Sequence, residues 1–272
     1  AEDILASGGA DMISMARPFL ADPHFVKKVR EGRADEINTC IACNQACLDF
    51  IFSDRPVSCL VNPRAGRETE FRDTPTDSPK KVAVVGGGAA GMATAAEAAR
   101  LGHVVTLFEA HDRLGGQLNL ARAAPGKDEF DETLRYYSGQ MNRHGVTLHL
   151  GQRAGLDDLT GFDHVVIATG VKPRIPDLPG VDHPSVATYA EILSGERVAG
   201  DSVVVMGAGG IGHDVAEFLV TGSAEVHDTN AFCETWGVDP TFAAPGVKPL
   251  DDEAVKPFAG LAQLRDKLGN SD

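Results

Sequence analysis

The sequence predicts an α/β protein built from dinucleotide-binding units around parallel sheets. Two stretches carry that expectation. "KVAVVGGGAAGMATAAEAARLGHVVTLFEA" sets an apolar strand, a glycine turn, an alanine-rich helix and a second strand in succession. "DSVVVMGAGGIGHDVAEFLV" repeats the strand, turn and helix about 120 residues later. A third stretch stands apart: "TCIACNQACLDFIFSDRPVSCLVNP", residues 39–63, holds four of the chain's five cysteines.

The totals bound what these motifs can mean. A chain of 272 residues is long enough for two ordinary domains. Lysine and arginine number 25 against 39 acidic residues, a net charge of −14. So acidic a surface disfavours nucleic acid or an anionic membrane as partner. No apolar run reaches the roughly 18 residues of a membrane span, and the first residues lack a leader's apolar stretch. The expectation is a cytoplasmic protein acting on a small molecule. Its opening "AEDILAS" starts within a helical pattern and without methionine, which predicts a piece of a longer enzyme.

Residues 1–36 read helix, strand, helix. Gly8 and Gly9 end the first helix, "ADMISMA" is a short apolar strand, and "DPHFVKKVREG" is a helix with Asp22 as N-cap, Pro23 in its first turn and Gly32 beyond its end. One αβα piece cannot cover both faces of a sheet, so it belongs to a larger body. Residues 37–66 form the cysteine segment. The polar, proline-containing "RETEFRDTPTDSP" is a linker. From residue 80 come the strand Val82–Val85, a helix to about Leu101, a strand Val104–Phe108, a helix over 127–144, and the strands "GVTLHL" and "DHVVIATG". Four prolines in 171–184 make an irregular crossing before the second glycine turn. Beyond Thr221 the pattern breaks down, leaving a polar tail with one amphipathic stretch.

The cysteines run Cys40-x2-Cys43-x3-Cys47-x11-Cys59. A disulfide framework fits poorly beside nucleotide motifs of a reducing compartment. Zinc prefers separated pairs or cysteine with histidine, and no histidine lies between Cys40 and Cys59. Three close thiols and one distant suit an iron–sulfur cluster better, although the spacing is not that of ferredoxin, and zinc remains open. Cys233 reads as a small buried hydrophobe.

In the first glycine turn, Gly86 permits the tight bend, Gly88 lets the backbone approach a pyrophosphate, and Gly91 lets helix and sheet pack closely. The helix N-terminus offers free N–H groups to phosphate. Glu109, 18 residues past Gly91 at the end of the second strand, is placed to accept ribose hydroxyls. "RLGGQLNLA" after Glu109 and the returning "VVIATG" point to FAD. Gly207, Gly209 and Gly212 form the second turn, assigned to NAD(P)H. The acidic or basic residue that would read the ribose 2′ position is missing, so NAD and NADP stay unresolved. Arg17 follows the predicted strand, where barrel loops often grip phosphate, but on its residues alone it reads as a surface arginine.

"SMARPFLADP" resembles the end of an old yellow enzyme-type flavin barrel. "CIACNQACLD" with "SCLVNPRAGRE" resembles the iron–sulfur segment of the 2,4-dienoyl-CoA reductase (NADPH) and trimethylamine dehydrogenase group. "GGGAAGMATA", "GGQLNLA" and "PGKDEFDETLRYY" resemble that group's FAD domain, and "ADEINTCI" and "FCETWGVD" extend the likeness to about residue 240. The resemblance implies the C-terminal piece of an FMN-binding (β/α)8 TIM barrel in 1–36, a 4Fe-4S segment in 37–66, an incomplete Rossmann-like FAD domain in 67–180 and a truncated NAD(P)H domain in 181–272. It implies Cys40, Cys43, Cys47 and Cys59 as cluster ligands, Arg17 on the FMN phosphate, and Ala90, Glu109, Gln117, Lys127 and the Ala154 backbone around FAD. The implied activity is NADPH-dependent reduction of a 2,4-dienoyl-CoA, with electrons passing from NADPH to FAD, cluster and FMN. The substrate pocket and most FMN contacts would lie upstream. Two alternatives are a non-catalytic FAD and iron–sulfur electron-transfer module, and a demethylating dehydrogenase, against which the intact second turn argues.

Overall fold

A computed structural model describes residues 1–71, 73–221, 229, 230, 233 and 237–239. Contacts divide the chain into two units, Ala1–Ser223 and Ala224–Asp272. Of the second, Cys233 is buried and its carbonyl accepts the Val238 N–H at 2.8 Å. The amphipathic tail lies outside the described residues.

In the first unit the helices are α1 (Glu2–Ala6), α2 (Arg17–Ala21), α3 (Phe25–Arg30) and α4 (Leu48–Ile51), followed by strand β1 (Lys81–Val85), α5 (Ala89–Arg100) and β2 (Val104–Phe108). Then come α6 (Leu118–Ala121), α7 (Phe130–Arg143), β3 (Thr147–His149), β4 (His164–Ile167), α8 (Tyr189–Leu193) and α9 (Gly210–Thr221). The sheet is parallel throughout, in the order β3-β2-β1-β4. β1 is central, and its run of Val82, Ala83 and Val84 is buried on both faces, as a covered parallel strand requires. α5 can lie close on the sheet because its buried stripe is small: Gly91, Ala95, Ala96 and Ala99, with Met92 filling the gap. α7 packs on α5 through Met141, with Leu134 and Tyr137 beside it. Met92, Leu107, Met141, Val84 and Val105 are the largest fully buried side chains. This layout brings the C-terminal ends of β1, β2 and β4 together, where open α/β sheets bind their ligands.

Two expected strands do not form. Residues 10–16 run between α1 and α2 without a ladder, because no strand among the described residues lies alongside them. Residues 203–208 likewise run into α9 unpaired, with Val204 and Met206 exposed. A strand has no internal hydrogen bonds, so an apolar run alone does not make one. Asp22 does not cap the helix expected over 22–32. α3 starts later, at Phe25, and the Asp22 carboxylate turns to other partners.

Those partners bind the first 36 residues to the cysteine segment. Asp22, 3% exposed, accepts the Lys28 ammonium at 2.5 Å, the His24 N–H at 3.0 Å and the Asn38 N–H at 2.9 Å. Asn38 in turn donates to the Val61 carbonyl at 2.8 Å, and Asn62 to the Leu20 carbonyl at 2.8 Å. Glu36, also buried, holds Arg33 at 2.6 Å and pairs with Arg143 of α7. Arg135 of α7 donates to the Ile37 carbonyl at 2.7 Å and to Glu132 at 2.8 Å, while Thr39 donates to Glu132 at 2.8 Å. Through this seam the cysteine segment sits against the dinucleotide-binding sheet.

Removing one partner of a buried ion pair strands the other. Asp22→Ala is therefore expected to destabilise the chain by about 3–5 kcal/mol, read from the urea midpoint. A shift of a few tenths would show that Asp22 does not organise the segment.

Candidate functional site

The first glycine turn is shaped by close approaches that only glycine allows. Gly86 has φ +113°, and a Cβ there would stand 2.3 Å from the Ala168 carbonyl oxygen. A Cβ on Gly91 would stand 1.8 Å from the Gly86 carbonyl oxygen. Gly88 differs: nothing lies within 4 Å of where its Cβ would be. It is the N-cap of α5, whose first backbone bond runs from Met92 N–H to the Gly88 carbonyl at 2.9 Å. The N–H groups before Met92 have no carbonyl within the helix to bond. An anion would meet both free donors and the helix's positive end there. The site thus has room and donors where a pyrophosphate needs them.

Gly115 and Gly116 press a second loop onto this turn. The Gly115 N–H bonds the Gly87 carbonyl at 2.8 Å, and a Cβ on Gly116 would stand 3.1 Å from the Gly88 Cα. Glu109 lies beneath. Its carboxylate, 6% exposed, accepts the Gly87 N–H at 2.6 Å, the His111 N–H at 2.8 Å and the His111 ring at 2.9 Å. Burial alone would raise its pKa, but these bonds from His111 and Gly87 outweigh it and hold the carboxyl below its ordinary 4.5. Glu109 was expected to meet a ribose. In the structure its carboxylate buttresses the glycine turn through Gly87, a role that spacing did not reveal.

The other residues expected around FAD have these places. Ala90 is exposed in the first turn of α5. Gln117 precedes α6 and accepts the Tyr189 hydroxyl at 3.1 Å. Ala154 follows Gln152, whose N–H bonds the Glu109 carbonyl at 2.9 Å, so its segment runs beside the end of β2. Lys127 pairs with Asp214 of α9 at 2.5 Å, a partner the sequence reading missed.

The second turn repeats the first. Gly207 has φ +120°, Gly209 has open space, and a Cβ on Gly212 would stand 2.0 Å from the Gly207 carbonyl oxygen. α9 follows as α5 does, its first bond running from His213 N–H to the Gly209 carbonyl.

Cys40, Cys43, Cys47 and Cys59 are all free, half-buried, and line one pocket with Arg17 and Asn44. Arg17 begins α2 and donates to the Asn44 side chain at 2.6 Å, so it braces the cysteine loop. Ala42 and Asn44 have φ of +53° and +59°, which turns the loop sharply between its first cysteines. At Ala42 this costs about 1–2 kcal/mol. Burial pushes the Cys59 thiol up; the Val61 and Asn62 N–H groups partly offset this, while Cys40 and Cys43 add to it. The free space between the thiols is about 10 Å³. Among the described residues, no three His, Cys, Asp or Glu side chains converge closely enough to hold one metal ion. Ile41, Leu60 and Val61 line both this pocket and a cavity of about 280 Å³ that reaches Ala89, Ala90 and Ala93 of α5.

The contrasting glycines give a direct check. Gly91→Ala is expected to destabilise by about 1–3 kcal/mol through its clash with the Gly86 carbonyl, lowering the calorimetric melting temperature. Gly88→Ala should melt like the parent yet bind FAD at least about tenfold more weakly, or ~1.4 kcal/mol. Equal melting of the two variants would contradict the close-approach argument.

Glu109 supplies a pH dependence. A carboxyl held below its ordinary value stabilises the fold above that value and loses the contribution as pH falls through its lowered one. Glu109→Gln is therefore expected to melt lower at pH 7, with the gap closing below about pH 4.5. A gap that stays constant down to pH 3 would show that the ionised form plays no special part.

Among the described residues no helix is long and apolar enough to cross a membrane. The family model described as NADH:flavin oxidoreductase / NADH oxidase family matches residues 1–36. A metal reductase of Desulforamulus reducens is 40% identical over 238 residues, covering 85% of this chain and 36% of that protein. An N,N-dimethylglycine/sarcosine dehydrogenase of Chromohalobacter salexigens is 40% identical over 179 residues, covering 64% of this chain and 26% of that protein. The solved complex of 2-naphthoyl-CoA reductase with 2-naphthoyl-CoA superposes with a TM-score of 0.79 at 40% identity, over 82% of this chain and 34% of that one. The chain thus spans about a third or less of these proteins, which are named as reductases and as a dehydrogenase of methylated amines. The family model for pyridine nucleotide-disulphide oxidoreductases matches residues 80–236, more than half of the chain, so the chain belongs to that family.

Proposed function

We propose that the chain is the electron-input portion of an NADPH-dependent reductase of conjugated C=C bonds, serving a 2,4-dienoyl-CoA or related enoyl thioester in unsaturated fatty acid breakdown. The observation that carries this reading is the shared wall. Ile41, Leu60 and Val61 line both the four-cysteine pocket and a cavity that opens at the N-terminus of α5. A flavin site and a thiol cluster one side chain apart suit electron relay better than storage or scaffolding. The likeness to a reductase named for an acyl-CoA supports a thioester substrate.

When bound, FAD takes up a hydride and a 4Fe-4S cluster passes on single electrons. The chain's own residues do the holding. Gly86, Gly88 and Gly91 with the free N–H groups of α5 would seat the pyrophosphate, Glu109 would fix the turn and meet the ribose, and Gln117, Lys127 and Ala154 would border the rest. Gly207, Gly209 and Gly212 would seat the nicotinamide dinucleotide at α9. Cys40, Cys43, Cys47 and Cys59 would hold the cluster. Thiols ranged around a pocket suit several irons with one thiolate each, whereas zinc needs its ligands focused on one ion. Holding a cluster would require these thiols to lose their protons. Arg17 would brace that loop. The FMN phosphate contact assigned to it by resemblance belongs to a site whose larger part lies outside this chain.

A demethylating dehydrogenase is the second reading, favoured by the likeness to N,N-dimethylglycine/sarcosine dehydrogenase. The second glycine turn, built like the first, favours the reductase, since an amine-oxidising enzyme has no need of a nicotinamide donor.

Anaerobic reconstitution with iron and sulfide is expected to give about four irons per chain, lost in Cys43→Ala and Cys59→Ala. NADPH is then expected to bleach bound FAD. Stoichiometric zinc without iron would remove the cluster from the proposal, and flavin left unbleached by either nicotinamide would favour the demethylating reading.

A further inference from the structure

Gln117 and Lys127 are both expected around FAD, yet each is held by the part of the chain that carries the second glycine turn. The Lys127 ammonium pairs with the Asp214 carboxylate of α9 at 2.5 Å, and the Tyr189 hydroxyl of α8 donates to Gln117 at 3.1 Å. α8 packs on α9, so one piece of structure meets these two residues at two points. Lys127 also lies near the first turn on independent grounds. Phe130, three residues on, lines the cavity that reaches Ala89 and Ala90 at the start of α5.

The position of Asp214 makes the pair matter. Gly209 supplies the carbonyl that accepts the first bond of α9, from the His213 N–H. Asp214 stands five residues past Gly209, which at 1.5 Å per residue is about 7–8 Å along the helix. Its side chain leans back toward the N-terminus, as helical side chains do. That is within the screening length of roughly 8 Å at physiological ionic strength. A lone carboxylate there opposes a pyrophosphate seated on Gly207, Gly209 and Gly212. Paired with Lys127, it is neutralised. The two side chains are only 37% and 27% exposed, so water screens the pair in part.

Lys127 has one ammonium and two claims upon it. The pyrophosphate of FAD is an anion and draws the ammonium toward the first site. Whatever Lys127 yields to FAD, Asp214 loses. We infer that the Lys127–Asp214 pair couples the two dinucleotide sites antagonistically, with Asp214 as a positioning residue whose charge lowers pyridine-nucleotide affinity once FAD engages Lys127. The inference rests on reading the first glycine turn as an FAD site and the second as an NAD(P)H site. It deepens the electron-input role: a chain loaded with FAD holds the spent nucleotide less tightly and exchanges it sooner.

The test titrates the chain with NADP+ and, in parallel, with NAD+, each with and without saturating FAD. The oxidised nucleotides bind without transferring hydride. Saturating FAD should weaken the better-bound nucleotide about two- to fivefold, the size of one partly exposed charge interaction. The nucleotide should weaken FAD by the same factor, because linkage is reciprocal. Asp214→Asn keeps the shape without the charge and should bind the nucleotide equally with and without FAD. Asp214→Glu keeps the charge and should keep the antagonism. Parent affinities indifferent to FAD would overturn the inference. So would antagonism that persists in Asp214→Asn, which would mean direct competition for one turn, or antagonism lost in Asp214→Glu. A parent that fails to bind FAD, or fails to bind either nicotinamide, would instead remove the reading of that turn, and the inference with it.

Discussion

Asp22 and Glu36 are carboxylates buried almost completely, and a carboxylate out of water costs several kcal/mol unless its surroundings replace the lost hydration. Here they do so with Lys28, Arg33 and Arg143 and with the backbone N–H groups of His24 and Asn38. The demand runs in both directions. The carboxylates need those partners, so they fix where residues 37–62 can lie. The partners on α7 then fix that segment against the sheet. Nothing else in the cysteine segment could do this alone: its only helix is one turn long, and its buried apolar residues, Ile41, Val61 and Ala65, are few. The candidate relay depends on this paired-charge seam for its geometry.

Glu109 does for the glycine turn what Asp22 does for the cysteine loop. A turn built from three successive glycines loses much chain entropy on ordering. The buried carboxylate compensates by accepting the Gly87 N–H, and the Gly115 N–H bonds the Gly87 carbonyl from the other side. Gly87 is thus the pinned residue, while Gly88 beside it is left open. A rigid turn next to a free helix end is a binding site organised before its ligand arrives, which lowers the ordering cost of binding.

What the sequence revealed and what it hid divide by range. β1, α5 and β2 lay where the pattern put them because each is dictated by neighbours within a few residues: an unbroken apolar run at Val82–Val85, alanine spacing, and a glycine at each bend. The four cysteines did meet in one pocket, since three of them share one tight loop. The strands expected at 10–16 and 203–206 failed for a complementary reason. A strand is completed by a partner elsewhere in the chain, and among the described residues none lies beside them. Lys127 shows the same limit in a side chain: nothing near it announces Asp214, 87 residues away. Asp22 was read as a helix cap because capping is local, yet Asn38 and Lys28 outcompeted the helix for its oxygens.

The two glycine turns carry that argument to its end. Gly207 and Gly212 reproduce the bend and close approach of Gly86 and Gly91 although their incoming segment joins no ladder. Turn geometry is therefore encoded in the turn, through a positive φ and an approach that any Cβ would block. Being encoded locally is not the same as being able to bind. The first turn is held from below by Glu109, from one side by Gly115, and from behind by a paired strand. The second shows the same bend and helix end but has no paired strand behind it, because residues 203–208 are unladdered. A dinucleotide arriving at the first turn meets donors already in place. At the second, the segment that presents them has no strand partner among the described residues, so a dinucleotide there would lack the support that β1 gives the first turn.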